Sequence, residues 1–414
     1  MISEVLTLVI TPISKEATIM ISVTDAIEKI QLNTGLLQPV KLPLKDAAGL
    51  VLAEDVFAGC SVPNFNQAAM DGYAFRYNDL PGTKELNVTH EIAAGDASTI
   101  AINVYNAVRI FTGAAVPTDL DTIVMQEKVE VRGKKIVVLD EELKKGSNVR
   151  IAGSEIKKGD LALKKSTFLS PGAIGFLAGA GTRDVLVYPK PSVHIIVTGN
   201  ELIKAGESLR EGEVYESNSV LLQSALKQIH IENIVVDFVG DQLSETINAI
   251  SKALDAADLL LLTGGVSVGD YDFVVEAANA CGVKQLFHKV KQRPGKPLYA
   301  GVKGKKIVFG LPGNPASVLT CFYNYVVAAI ECMTGQKQLV KRIWLPLSGA
   351  VNKKINLTQF LKAVSDDHQV TPLPAQESFR LSSFSVANCL IILPEEKLDF
   401  MEGEMVETLV LPYL

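Results

Sequence analysis

Cysteine is scarce in this 414-residue chain, and its five copies (Cys60, Cys281, Cys321, Cys332, Cys389) are scattered, odd in number and never spaced as CxxC. That usage argues against a disulfide framework and against a thiolate zinc site, and fits reduced thiols. The five histidines form no cluster. No Lys/Arg run interleaved with aromatics occurs and the formal net charge is -6, so a broad basic face for nucleic acid is not expected and any anionic ligand must be attracted locally. The first 21 residues are apolar-rich, yet Glu4, Pro12, Lys15 and Glu16 interrupt them and no basic stretch comes first. Neither a signal peptide nor a membrane span is expected, and a cytoplasmic location follows. Internal repeats and low-complexity segments are absent. No glycine-rich loop ends in Gly-Lys-Ser/Thr, so no Walker-type phosphate loop is present.

What is present is core-forming sequence: 48% hydrophobic against 21% charged residues, at a length that accommodates several domains. From Val193 onward short apolar runs alternate with helical stretches: "VHIIVTGNEL", then "SNSVLLQSALKQI" capped near Ser217 or Asn218, "IENIVVDFVGD", "SETINAISKALDAA" opened by Ser244, and "DLLLLTGG". A helix from about 271 to 280, the strand "KQLFHKV" and a strand, turn and long helix in "KKIVFGLPGNPASVLTCFYNYVVAAIECMTG" follow. Apolar strands alternating with helices imply a doubly wound, mostly parallel sheet covered on both faces. Residues 57–143 read instead as short β runs and turns, inserted into a mixed domain formed by 1–56 and 144–187. The α/β domain spans 188–335, and 336–414 reads as a small C-terminal β domain, barrel-like in pattern.

Three loops leave the carboxyl ends of strands in the α/β part: "VTGNEL", "LTGGVSVGDYD" and "FGLPGNPAS". In an open parallel sheet these ends share one edge, where ligands bind. Gly264 and Gly265 allow close backbone approach and positive φ, so their amides, with the Ser267 hydroxyl, suit an oxyanion. Asn314 followed by Pro315 has the form of an N-cap and first helical position, with free amides beyond. In "KQRPGKPLY", Pro294 and Pro297 stiffen a turn holding Gly295 and Lys296 alongside Lys289 and Arg293. Glu201, Asp241, Asp270 and Asp272 lie beside these groups, an arrangement suited to Mg²⁺ bridging carboxylates to phosphate oxygens. Each piece alone reads equally well as a turn, a cap or a solvated acid. Their convergence in one βα array points to a site.

These segments, with others, resemble the molybdopterin molybdenumtransferase family, the molybdenum insertases that include the C-terminal domain of gephyrin. The resemblance rests on "GGVSVGDYD", "PGKP" and "GLPGNPAS" (Pro312, Gly313, Asn314, Pro315 and Ser317 among them), on "QAAMDGYAF", "RIFTGAAVP", "VRIAGSEIKKGD" and "VTGNEL", and on "QESFRLSSFSVANCLIILP". It implies insertion of molybdate into adenylated molybdopterin with release of AMP, Mg²⁺ dependence, and an elongated homodimer of four-domain subunits in which Asp71 and Thr112 approach the α/β pocket. Asp71, Thr112, Glu201, Asp241 and Asp272 match family acids or hydroxyls tied to activity. Ser267, Lys289, Lys296, Pro312 and Pro315 match binding or site-shaping positions. Four features depart from the family pattern. Ser154-Glu155 replaces Glu-Asp, Asn200 replaces Asp, Arg293 replaces Lys, and "NLTQFLKA" stands where an arginine-rich segment is common. The resemblance also implies transient contact with the adenylyltransferase that supplies the substrate and with apo-molybdoenzymes. Two other readings are a gephyrin-like scaffold without catalysis and a molybdopterin adenylyltransferase. The acids and Lys296 gathered near one edge argue against the first, and the "MDGY" and terminal β regions against the second.

Overall fold

The computed structural model describes residues 20–96, 101–266, 273–366 and 368–412. They form two compact units, one from Pro39–Val187 and the other from the flanking segments, up to Gln38 and from Tyr188 onward.

In the flanking unit a six-stranded sheet runs in the order Ile234–Val239, Val193–Thr198, Leu259–Thr263, Lys306–Leu311, Tyr299–Lys303, Lys284–His288. The first four strands are mutually parallel, and the last two join antiparallel at one edge. The strand Tyr299–Lys303 escaped the sequence reading. It is only five residues long, contains Gly301, and follows directly on the Pro-Gly-Lys-Pro turn, so no alternation marks it. Strand Val193–Thr198 has neighbours on both sides and chain connections leaving in both directions, which makes its carboxyl end the switch point of the sheet.

Strand alternation explains the layering. Val193, Ile195, Val197, Leu259, Leu261, Ile307 and Phe309 enter one core, while Ile196, Leu260, Leu262 and Val308 enter another. Period-2 side chains thus bury both faces, and each fully buried Leu or Ile contributes roughly 1.5–3 kcal/mol. Helices Leu243–Ala256 and Val274–Ala280 cover the second face. Helices Val23–Asn33 and Asn218–Gln228 and the helical stretch from Pro315 to Thr334 cover the first. Ser22 caps Val23–Asn33 by accepting from the Asp25 amide at 3.0 Å. The stretch Pro315–Thr334 is long and apolar enough by composition to cross a membrane, but 78% of its apolar window is buried in the protein. Its middle, Phe322–Val326, is a π-turn.

The carboxyl-terminal sheet has the order Gln292–Arg293, Thr358–Ser365, Cys389–Leu393, Met405–Val410, Lys341–Pro346, with Val370–Pro372 paired to Thr358–Ser365. Its first strand is the segment just before the Pro-Gly-Lys-Pro turn, paired parallel with Thr358–Gln359. Phe360, Leu390, Ile392 and Leu409 share the core of the α/β sheet. The turn is therefore held from both sheets.

The Pro39–Val187 unit contains a six-stranded sheet, Thr122–Met125, Gly72–Phe75, Asn106–Ile110, Glu85–Ile92, Lys135–Val138, Val129–Arg132, and a three-stranded sheet, Val40–Pro43, Asp184–Tyr188, Val51–Leu52. Its helix Pro171–Gly179 starts at Ser170, whose hydroxyl accepts from the Ala173 amide at 3.3 Å. Gly72 is required by close strand approach, since a Cβ there would lie 2.0 Å from the Val124 carbonyl oxygen.

Candidate functional site

A cleft of about 990 Å³ opens in the flanking unit. Of the residues singled out above, Glu201, Arg293, Gly295, Lys296, Pro297, Pro312, Gly313, Asn314, Pro315 and Ser317 line it. Strand-end loops, the Pro-Gly-Lys-Pro turn and the start of the long helix thus meet in one hollow. The carboxyl-terminal sheet supplies a further wall, Gln376 to Phe379.

The turn is built from beneath. Gln292 is fully buried; its side-chain amide donates to the Gly295 carbonyl at 3.1 Å, and its carbonyl accepts from the Tyr325 hydroxyl. Tyr325 lies in the π-turn, whose extra residue per turn re-aims a side chain. Gly295 has φ +88°, and a Cβ there would lie 2.6 Å from Cys321 Sγ and 2.7 Å from Gln292 Nε2. Only glycine fits. Arg293 and Lys296 flank it and are exposed, so their charges face the hollow while the turn between them is anchored. Lys289 is half-buried with φ +73° and does not line the cleft; its amide donates to the Leu298 carbonyl at 2.9 Å.

At the strand ends Asn200 and Asp241 bond reciprocally. The Asn200 amide donates to Asp241 Oδ2 at 3.0 Å and the Asp241 amide to Asn200 Oδ1 at 3.2 Å. Asp241 therefore stands beside the loop that carries Glu201, though outside the cleft lining. The glycine pair has a tighter reason than ligand approach. A Cβ on Gly264 would lie 2.8 Å from the Thr198 carbonyl oxygen, and one on Gly265 would lie 3.2 Å from Thr198 Oγ1. The Gly264 amide donates to the Leu311 carbonyl at 3.3 Å, so that amide is not free for an anion. Neither glycine lines the cleft. Ser267, Asp270 and Asp272 lie outside the described residues.

Three cap expectations change; Ser244 does not open its helix, which runs Leu243–Ala256 with Gln242 at the N-cap position and no side-chain cap. Asn314 occupies the N-cap position, but its side chain makes no cap; its Nδ2 donates to Ser378 Oγ at 3.0 Å, and the Ala316 amide donates to the Ser378 carbonyl at 3.1 Å. The helix start is therefore tied to the other sheet, which a local cap rule does not anticipate. For helix Asn218–Gln228, Ser217 is the N-cap residue without a side-chain bond, and the buried Glu216 takes that role, accepting from the Ser219 amide at 2.7 Å and hydroxyl at 2.6 Å.

Within the Pro39–Val187 unit, Asp71 and Thr112 are in contact: the Thr112 amide and hydroxyl each donate to Asp71 Oδ1 at 2.7 Å. Those two bonds, the amide's first, hold the Asp71 carboxyl below its ordinary pKa. Glu155 lies elsewhere, in a hollow of about 640 Å³ with Cys60, Ser61, Asn64, Gln67, Arg150 and Ser154.

The family description "MoeA N-terminal region (domain I and II)" matches residues 21–181, "Probable molybdopterin binding domain" matches 194–331, and "MoeA C-terminal region (domain IV)" matches 345–411. The molybdopterin molybdenumtransferase of Staphylococcus epidermidis is 33% identical over 402 residues, covering 94% of this chain and 95% of its own. The chain belongs to the molybdopterin molybdenumtransferase family. It is accordingly a transferase of molybdenum cofactor biosynthesis. The Haemophilus influenzae family member is 33% identical over 372 residues, covering 88% of this chain and 92% of its own. A solved molybdopterin biosynthesis moeA protein from Pyrococcus horikoshii matches with a TM-score of 0.79 at 29% identity over 95% of this chain and all of that one. The four-domain molybdopterin molybdenumtransferase architecture, with its α/β and carboxyl-terminal β domains, is thus that of the chain.

Several cleft residues of this molybdopterin molybdenumtransferase family member went unread in the sequence. Tyr215 and Phe379 are exposed aromatics on the cleft wall, and Gln376, Glu377 and Ser378 complete it. The "Gln-x-Ser" motif was the available signal, but nothing local to it indicates that it reaches the α/β part.

Proposed function

We propose that the chain inserts molybdate into adenylated molybdopterin, releasing AMP and yielding molybdenum cofactor, as a cytoplasmic homodimer using Mg²⁺. The observation that carries this reading is the single cleft in which Arg293, Lys296 and Glu201 meet. A protein of net charge -6 attracts anions only where fixed cations and amides converge, and this hollow is large enough for a nucleotide-sized ligand.

Lys296 and Arg293 hold the substrate's phosphates, Lys296 as a point charge and Arg293 through its planar fork. Among the described residues no group of three acids, histidines or cysteines could enclose a metal. Magnesium keeps several waters and takes one or two carboxylates besides phosphate oxygens. Some of Glu201, Asp241 and Asp272 are the proposed holders; Asp241 keeps Oδ1 available while Oδ2 accepts from Asn200. Bound there, the cation would neutralise charge on the phosphoanhydride while a water adds across the P–O–P link and AMP departs. When two dithiolene sulfurs bond to molybdenum, one molybdate oxygen leaves as water with the two thiol protons. Asp71, kept ionised by Thr112, and Thr112 itself are the candidates for moving those protons.

The test is to mix the protein with adenylated molybdopterin, molybdate and Mg²⁺ and to measure AMP and active cofactor. AMP should form only when molybdate is present, and Lys296→Met should lower kcat/KM by about 100-fold, the loss of one charge-assisted contact. No AMP from the unaltered protein, or none of this dependence on Lys296, defeats the reading.

A further inference from the structure

The strand Thr358–Ser365 is buried, with Phe360 in one core and Leu361 and Ala363 in another. Between them stands Lys362, only 3% exposed. An ammonium removed from water must have its three N–H donors filled, and among the described residues no carboxylate bonds to this one. Instead Nζ donates to the carbonyls of Ala375 at 2.7 Å, Arg380 at 2.9 Å and Glu377 at 3.3 Å. All three belong to one turn.

The same turn is gripped from other sides. Gln376 Oε1 accepts from the Lys362 amide at 3.0 Å, and its Nε2 donates to the carbonyls of Lys362 at 2.8 Å and Leu373 at 2.7 Å. Ala375 is held at φ +58°, a conformation that a non-glycine residue keeps only when its surroundings fix it; its carbonyl also accepts from the Ser383 hydroxyl at 2.8 Å. Beyond it, Ser378 bonds to Asn314 and Ala316, and Gln376 to Phe379 line the cleft. Lys362 does not line it.

We propose that Lys362 is a positioning residue for the cleft: by gathering three carbonyls, its ammonium fixes the turn that presents Glu377, Ser378 and Phe379 to substrate. A buried charge adds little net stability over an apolar side chain of similar size, so the fold alone gives no reason for lysine here. The arrangement of the turn does. The role deepens the insertase reading and rests on it for its kinetic arm only.

Lys362→Met, Lys362→Gln and Lys362→Arg are compared with the unaltered enzyme by steady-state AMP release and by hydrogen exchange. In Lys362→Met, half-saturation for adenylated molybdopterin or for molybdate should rise about tenfold while kcat changes less than about threefold. Amides of 376–380 should exchange at least about tenfold faster, with those of Leu259–Thr263 unchanged. Lys362→Arg, which keeps the donors, should recover most of both effects. Unchanged half-saturation with unchanged exchange in Lys362→Met overturns the proposal. If Lys362→Met does not fold, Lys362→Gln gives the same two readouts, and failure of both to fold makes Lys362 a folding residue and also overturns it. An unaltered enzyme that releases no AMP defeats the insertase reading alone, because the exchange arm still decides the clamp.

Discussion

Gly295→Ala tests how the Pro-Gly-Lys-Pro turn is built. Two separable costs arise. At φ +88° an alanine is held in a left-handed conformation, about 1–2 kcal/mol for an L residue. Its Cβ would also lie 2.6 Å from Cys321 Sγ and 2.7 Å from Gln292 Nε2, and both neighbours are fully buried, so neither can swing into solvent. Overpacking of this kind costs about 1–3 kcal/mol. Together the variant should lose about 2–5 kcal/mol. Trp344, the single tryptophan, lies in the same unit, so its fluorescence during urea unfolding reports the loss. Cys321→Ala alone should cost about 1–2 kcal/mol by leaving a small cavity. In the double variant the sulfur contact is gone while the φ cost and the Gln292 contact remain, so about 1–2 kcal/mol of coupling should be recovered. Because Lys296 follows Gly295 directly, AMP release should fall further than stability. A Gly295→Ala loss below about 0.5 kcal/mol, or strict additivity with Cys321→Ala, would refute the reasoning.

Two further predictions concern charge. Burial pushes the Lys190 ammonium down to about 8 from 10.5. Below pH 8 folding bears that burial in full, and between about 8 and 10.5 the unfolded chain holds a proton that the folded chain does not, so stability should rise with pH. The whole shift corresponds to about 3 kcal/mol, and solvent reaching the partly exposed group reduces the expected gain to about 1–2 kcal/mol. Lys190→Met should abolish the rise in urea unfolding measured at pH 7.5 against about pH 10; an unchanged rise assigns it to other groups. Thr112→Val removes one of the two donors to Asp71 Oδ1, so the carboxyl should titrate closer to its ordinary value. Asp71 is depressed in the folded state; its contribution is present above the ordinary carboxylate range and lost as pH falls through the folded value, so in Thr112→Val that loss moves to higher pH. Carboxyl carbon NMR follows the titration directly, and an unmoved midpoint counts against the hydroxyl as a cause.

Much of the α/β part was legible because its signals are local. Runs such as "DLLLLTGG" must be buried on both faces, and the structure divides their alternate residues between two cores. Ser22 caps its own helix through a bond spanning three residues, a contact set within one turn of chain. The strand-end placement of Glu201 and Asp241 follows from the alternation of strand and helix. Tertiary contact decided the rest. Asn314 has a cap's position but bonds to Ser378, 64 residues away, and Gly264 is glycine because Thr198 packs against it. Lys362 has the look of a strand-surface lysine in sequence, yet it is buried and its ammonium lies against a turn over ten residues on. Sequence determines which residues prefer a strand, a cap or a turn, because those preferences are set within a few bonds. Which carbonyls meet an ammonium, and which loops share one hollow, depends on packing between segments far apart in the chain.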